Sequence, residues 1–150
     1  MNISFFMNEA LKEANKALSK NEVPIGGIII DNNSKIILSR GHNQINNNKN
    51  AIYHCEIALI FEATKKLQRK YLNNTTLFVT LEPCTMCAAA ISEAHISTVY
   101  FGAYDEKNGG VEKLRIAFNK NNIFVPDIYG GICESQSKKM LKNFFKNNRK

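Results

Sequence analysis

The chain has 150 residues, 44% of them hydrophobic and 22% charged, and a formal net charge of +7. This length suits one domain with a substantial core rather than two, and the composition is ordinary for a globular protein. No apolar run approaches the ~18 residues of a membrane span, and the N-terminus lacks the basic start and apolar segment of a signal peptide. We therefore expect a cytoplasmic protein without membrane association, in which the four cysteines stay reduced.

The first half of the chain predicts a helix, a hairpin and a second helix. Apolar residues recur at spacings of three and four over residues 3–20, which indicates an amphipathic helix. IGGIII and KIILSR are typical of strands, and the turn residues 31–34 between them predict a hairpin. A polar loop at 43–50 and a helix over about 54–70 follow.

The second half alternates strands and helices. We predict a strand over 76–80, a helix over about 84–94, and the strand STVYFG. A loop at 102–110, a short helix, an irregular strand over 123–128 and a helix over about 132–147 complete the chain. This alternation predicts an α/β fold in which helices cover both faces of a single sheet. There is no internal repeat and no linker, so we expect one domain over residues 1–150.

The segment LEPCTMC directly follows the predicted strand TLFVT. Proline favours the first turn of a helix, so Pro83 predicts a helix start here. Cys84 and Cys87 would then lie on one face of that turn, where free N–H groups favour thiolates. Three interpretations are open: a thioredoxin-like redox pair, half of a structural zinc site, or two ligands of a catalytic zinc site.

The segment YHCEI favours the third interpretation, because only a catalytic site gives both His54 and Glu56 a role. His54, Cys84 and Cys87 would hold the metal and leave a fourth position open. Residues two apart on a helix point about 200° from each other, so we place His54 at the helix cap, from which both side chains can turn inward. Cys55 is expected to form part of a buried wall. Small residues are needed where the two helix starts converge, and the chain supplies Ala58 and Ala88–Ala90.

An H-x-E segment followed by P-C-x-x-C is the signature of zinc-dependent nucleobase deaminases. More narrowly, the chain resembles bacterial tRNA-specific adenosine deaminases. The resemblance spans nearly the whole chain, through EVPIGGIII, GHNQ, HCEI, TLFVTLEPCTMCAAA, VYFGAYDEKNGG and NFFKNNRK. It implies a three-layer α/β/α cytidine-deaminase-like fold with a mixed five-stranded sheet, one zinc ion per chain and a homodimer.

The resemblance also implies the reaction and the site residues. The reaction is hydrolytic deamination of adenosine to inosine at the wobble position of tRNA, with zinc-activated water and Glu56 as proton carrier. Asn43 matches the residue that hydrogen-bonds the purine, and Asp105 matches a residue near the target ribose. Phe145 matches an aromatic residue close to the anticodon nucleotides.

Two other functions compete with deamination of tRNA: a deaminase of a free base or nucleoside, such as guanine or cytidine, and a non-catalytic zinc-stabilised RNA-binding module. Residues 138–150 contain six basic residues and no acidic one, which favours an RNA partner, while Glu56 favours catalysis. The chain departs from the family pattern at His95, Tyr104, Glu112 and Lys113, near the expected RNA-facing surface. His42 and His95 are expected not to be ligands.

Overall fold

The computed structural model describes residues 1–113 and 123–148 and contains one five-stranded mixed sheet. In chain order the strands are β1 (Gly26–Asp31), β2 (Ile37–His42), β3 (Thr75–Leu81), β4 (Thr98–Ala103) and β5 (Asp127–Tyr129). Their order across the sheet is β2-β1-β3-β4-β5. The pairs of β1 with β2 and with β3 are antiparallel, whereas β3–β4 and β4–β5 are parallel.

Four helices of the described chain pack against this sheet: α1 (Ile3–Ser19), α2 (Cys55–Leu67), α3 (Thr85–Glu93) and α4 (Glu134–Asn147). Alternate strand residues point to opposite faces and build two apolar clusters. On one face Ile29, Leu77 and Val99 pack with residues of α2 and α3. On the other face Ile28 and Phe78 pack with residues of α1, and Gly102 of β4 approaches Ser137 of α4. The predicted sheet covered on both faces is therefore confirmed.

The loops that carry polar residues leave the sheet at the same end of its strands. His42, at the end of β2, pairs with Gly26, at the start of β1. Gly27 pairs in turn with Val79, near the end of β3, and Leu81 pairs with Ala103 at the end of β4. The loops after β2, β3 and β4 thus leave the sheet on the same side.

Most predicted elements are confirmed, with shifts at their ends. The second helix ends at Leu67 rather than near residue 70, because Gln68 takes a left-handed conformation with φ of 50°. The strand predicted over 123–128 is limited to Asp127–Tyr129, on the outer edge of the sheet. The predicted short helix begins at 111–113, and the rest of it lies outside the described residues. No helix in the described part of the chain has the length and apolar character needed to cross a lipid bilayer.

Candidate functional site

His54 occupies the N-cap of α2 with an extended backbone (φ −66°, ψ 156°). Glu56 lies two residues later in the first helical turn and is only 5% exposed. Because the cap residue has not yet entered the helix, the two side chains do not diverge as they would in mid-helix. The predicted cap position of His54 is confirmed.

Cys84 and Cys87 lie where β3 passes into α3. Cys84 is the N-cap of the helix, again with an extended backbone (φ −71°, ψ 175°), and Cys87 lies in its first turn and is fully buried. Pro83 lies one residue before the cap rather than in the first turn, so it sets the entry of the chain into the helix without being part of it. The starts of α2 and α3 therefore each present side chains that could hold a metal ion.

These three side chains meet. His54 Nδ1 lies 3.7 Å from Cys84 Sγ and 3.6 Å from Cys87 Sγ, and the three ligand atoms all lie within 4.8 Å of one another. Tetrahedral zinc with bonds of about 2.05 Å to nitrogen and 2.3 Å to sulfur separates those atoms by about 3.6 Å. The donor set and its spacing thus fit a zinc ion with one coordination position left over.

The two thiols have opposite pKa shifts. The pKa of Cys84 is lowered to about 5, chiefly because the Cys87 thiol donates a hydrogen bond to it. Backbone N–H groups of Cys87 and Met86 contribute in the same direction. The pKa of Cys87 is raised, first because it is the donor in this pair and second because it is buried. Without a cation the pair shares one proton, and a divalent cation would favour two thiolates.

Burial raises the pKa of Glu56 to about 7, and the neighbouring Cys84 adds to this effect. Its own backbone N–H and His54 lower this pKa. A bound cation would lower it as well. A carboxyl group whose pKa lies near the working pH can both accept and release a proton. Glu56 is therefore a carboxyl group able to take part in general acid–base chemistry beside His54, Cys84 and Cys87.

Cys55 belongs to the wall of the site, as expected. Its side chain is buried, burial raises its pKa, and its Sγ lies 3.5 Å from the carbonyl oxygen of Gly41. Ala58 and Ala88 are buried, whereas Ala89 is exposed. The prediction that Ala89 lies at the helix contact is wrong, because its position on α3 faces away from the core.

Asn43 directly follows β2 and is 4% exposed. Its N–H donates to the carbonyl oxygen of Ile25 at 2.9 Å. Within residues 1–113 and 123–148 its carboxamide has no hydrogen-bond partner. The residue is almost buried, and its amide is left available as a donor and an acceptor for a ligand.

Asp105 and Phe145 line a groove with a cavity volume of about 640 Å³, together with Val23, Leu81 and Tyr104. Phe145 is 49% exposed, so it is not part of the helix core. The carboxylate of Asp105 accepts hydrogen bonds from the N–H groups of Lys107 (3.1 Å) and Asn108 (3.0 Å), and it therefore also shapes its own turn. Lys107 and Asn108 also border a smaller cavity at Cys84, which links this groove to the metal-binding cluster.

Two buried carboxylates at this end of the sheet, Glu22 and Glu82, have no role in the predictions from the sequence. Glu22 accepts hydrogen bonds from two backbone N–H groups of the loop after β2, and Glu82 accepts one from Asp105 in the loop after β4. Both lie in quoted segments, EVPIGG and LEPC. Their partners are 23 to 25 residues away along the chain, so only the motif itself could have drawn attention to them.

The remaining histidines and the fourth cysteine stand apart from this cluster. His42 is buried 3.8 Å from Glu13, and His95 stacks between Tyr71 and Phe124. Cys133 precedes α4 and packs against the opposite face of the sheet. Within the described ranges His54, Cys84 and Cys87 form the one cluster able to hold a metal ion.

Comparison with known proteins agrees with this geometry. The model of the MafB19-like deaminase family matches residues 1–149. A tRNA-specific adenosine deaminase of Rickettsia felis is 46% identical over 142 residues, which cover 93% of this chain and 98% of the relative. The same enzyme of Bacillus subtilis is 38% identical over 97% of this chain and 89% of its own length.

A solved structure from a study of A-to-I editing by tRNA:A34 deaminases at the wobble position of transfer RNA superimposes with a TM-score of 0.85. It is 40% identical and covers 91% of this chain and 99% of its own. A guanine deaminase of Nitrosomonas europaea has a TM-score of 0.82 at 16% identity over 94% of this chain and 83% of its own, a likeness of fold alone. The chain belongs to the family of tRNA-specific adenosine deaminases.

Proposed function

We propose that residues 1–150 form a single deaminase domain that converts adenosine to inosine at the wobble position of tRNA. His54, Cys84 and Cys87 hold one zinc ion per chain, and Glu56 carries the proton. The observation that carries this proposal is the approach of the His54 ring nitrogen to within 3.7 Å of both thiols, beside a buried glutamate.

Zinc in this cluster supplies a Lewis acid that makes water a nucleophile near neutral pH. Glu56 takes a proton from the attacking water, because its carboxyl group is buried in the first turn of α2 beside His54, Cys84 and Cys87. It delivers that proton to the purine ring nitrogen. It then takes the proton of the newly added hydroxyl group and passes it to the amino group, so that ammonia leaves as the carbonyl forms.

Asn43 binds the flipped base. Its carboxamide is buried and has no partner among the described residues, and an amide presents both a donor and an acceptor to a purine edge. Asp105 and Phe145 bind the neighbouring nucleotides, since both line the groove that leads away from the metal-binding cluster. The half-exposed ring of Phe145 offers a surface on which an unpaired base can stack.

The basic surface of α4 supports an RNA substrate over a free base. Lys139, Lys142 and Lys146 are exposed on this helix, next to the groove lined by Phe145. Cations at this position neutralise phosphates that a free base does not have. A cytoplasmic location is consistent with a tRNA substrate.

A homodimer also belongs to this proposal. Three large apolar side chains of α2, α3 and the segment before α2 are exposed: Ile52 (59%) just before α2, Phe61 (61%) in the middle of α2 and Met86 (36%) in the first turn of α3. A second copy of the chain would bury them close to the metal-binding cluster, where the tRNA must also bind.

The substrate class is tested by comparing kcat/KM for an anticodon stem-loop with wobble adenosine and for free adenosine, guanine and cytidine. We expect turnover of the stem-loop that exceeds turnover of each small molecule by at least 100-fold. Equal or faster turnover of guanine or cytidine would overturn the tRNA assignment and favour a free-base deaminase.

A further inference from the structure

Glu22 is a buried charge that the reaction described above does not use. It lies between α1 and β1 and is 1% exposed. Within residues 1–113 and 123–148 it forms no ion pair. A buried carboxylate without a cation is costly unless hydrogen bonds satisfy its oxygens, so its partners indicate what it is for.

Those partners are two backbone amides. The N–H of Asn46 donates to Glu22 Oε1 at 3.1 Å, and the N–H of Asn47 donates to Oε2 at 2.8 Å. Each carboxylate oxygen is thus engaged by one amide of the loop between β2 and α2. Hydrogen bonds to a charged acceptor are about twice as strong as neutral ones.

The amides belong to a compact turn. Asn48 N–H donates to Gln44 O at 3.0 Å, and Asn50 N–H donates to Ile45 O at 3.1 Å. The amides at the start of such a turn have no partner within it, and Glu22 supplies the missing acceptor from outside. Residues 46–50 are exposed, so few side-chain contacts hold the turn in place.

The same segment that carries Glu22 also holds Asn43. Ile25, three residues after Glu22, accepts the Asn43 N–H at 2.9 Å. The chain between α1 and β1 therefore fixes the loop after β2 at two points, one at Asn43 and one at the turn that follows it.

We propose that Glu22 is a positioning residue for deamination, acting through Asn43. Its carboxylate anchors the turn at 44–50, and the anchored turn keeps the Asn43 carboxamide facing the target base. This inference rests on the proposed role of Asn43 and adds a second residue to base orientation.

Glu22→Gln tests the anchor with little change in volume, since one acceptor oxygen becomes an NH₂ group that faces an amide N–H. We expect kcat to fall about 10- to 100-fold, because a small displacement of a positioning group is enough for such a loss. We expect KM to change less than 3-fold, because phosphate contacts elsewhere dominate RNA binding. Zinc content should remain one per chain, and Glu22→Asp should restore part of kcat. A lower melting temperature with unchanged kcat would overturn the proposal.

A double-mutant cycle with Asn43→Ala identifies the route of the effect. In the Asn43→Ala background, Glu22→Gln should lower kcat less than 2-fold further. The matched variant Glu82→Gln removes an equally buried carboxylate that holds the Asp105 loop instead, and its effect should persist in full in that background. A full, multiplicative effect of Glu22→Gln in the Asn43→Ala background would overturn action through Asn43.

Hydrogen exchange of the wild-type protein tests the anchor without any variant. The amides of Asn46 and Asn47 should exchange at least 10-fold more slowly than unprotected amides, although both residues are exposed. Unprotected exchange at both positions would overturn the anchor even if Glu22→Gln fails to fold. The cycle uses whichever base the wild-type protein deaminates, so failure of the tRNA assignment and failure of this proposal are separate results.

Discussion

At the scale of single residues, neighbours in the sequence have different roles because of where the helix begins. His54 lies at the cap, Cys55 faces the core and Glu56 faces the pocket. The His54 and Glu56 side chains can share a pocket because the cap residue has extended backbone angles. The local sequence predicted this division, since an i, i+2 pair cannot converge from within a regular helix.

Substitutions of Cys87 and Cys55 distinguish a proposed metal ligand from a residue of the buried wall. Cys87→Ala removes a ligand and should leave the purified protein with less than 0.1 zinc per chain and no detectable activity. Cys55→Ala removes one buried sulfur atom and should keep about one zinc per chain, with a loss of about 1 kcal/mol in the free energy of unfolding. Metal analysis and denaturant unfolding provide both readings. Full zinc content in Cys87→Ala would contradict the proposed ligand set.

At the scale of elements, the site depends on how closely the start of β1 approaches its neighbours. A Cβ atom on Gly26 would collide with backbone atoms of Ala10, Glu13 and Ala14 in α1. The Gly26 N–H also donates to Thr80 Oγ1 at 3.1 Å, near the end of β3. The absence of a side chain at Gly26 thus lets α1, β1 and β3 pack together beside the site.

Gly26→Ala should therefore lower the free energy of unfolding by about 3 kcal/mol, because the colliding atoms are backbone atoms that cannot move aside easily. Gly41→Ala is the matched control, since its Cβ would lie 3.5 Å from the Leu59 side chain, an ordinary contact. We expect a change of less than about 1 kcal/mol there. If urea unfolding gave the same loss of unfolding free energy for both variants, close packing at Gly26 would not be needed for stability.

The basic face of α4 gives a second prediction at this scale. Lys142→Ala with Lys146→Ala should weaken stem-loop binding about 10-fold at low salt. The slope of log affinity against log salt should become shallower by about 1.5, because two phosphate contacts are lost. The control is the double variant Lys35→Ala with Lys70→Ala, which removes the same charge at the opposite end of the sheet. It should alter the slope by less than about 0.5. Fluorescence anisotropy across a salt series measures both, and equal effects would mean that net charge alone drives binding.

The sequence predicted the elements and the clustering of His54, Cys84 and Cys87 better than contacts between distant segments. Apolar periodicity located α1, and the spacing of Cys84 and Cys87 located the start of α3 to within one residue. Periodicity alone does not separate Phe145 from the core positions of α4; only the family resemblance predicted a role for it near the nucleotides, and Phe145 is half exposed and lines the groove. Periodicity cannot show that no element covers this position. The anchoring role of Glu22 escaped prediction for a related reason, since its partners lie 24 and 25 residues away.

At the scale of the whole molecule, the loops after β2, β3 and β4 and the starts of two helices converge at one end of the sheet. The sheet is antiparallel on one side of β3 and parallel on the other. The ends of β2, β3 and β4 therefore all lie at that end, whereas the hairpin turn at 31–36 lies at the opposite one. The proposed substrate-binding residues and the proposed metal ligands are thus concentrated on one side of the molecule, next to the exposed apolar side chains of the proposed dimer interface.

Phe61→Asp should shift the protein from dimer to monomer in sedimentation velocity at micromolar concentration, because a buried unpaired carboxylate opposes association. Ile36→Asp is the control: this side chain is 56% exposed in the hairpin turn, and the dimer should persist. A Phe61→Asp protein that sediments like the wild type would contradict an interface on α2.

The central claim is tested most directly by inosine formation on an anticodon stem-loop with wobble adenosine, comparing the wild type with zinc-loaded Glu56→Gln. We predict conversion by the wild type and a rate reduced by about 10³-fold or more in Glu56→Gln, with one zinc per chain in both. Glu62→Gln, an exposed glutamate on the same helix, should convert the stem-loop at the wild-type rate. No conversion by zinc-loaded wild type, or undiminished conversion by Glu56→Gln, would contradict the account.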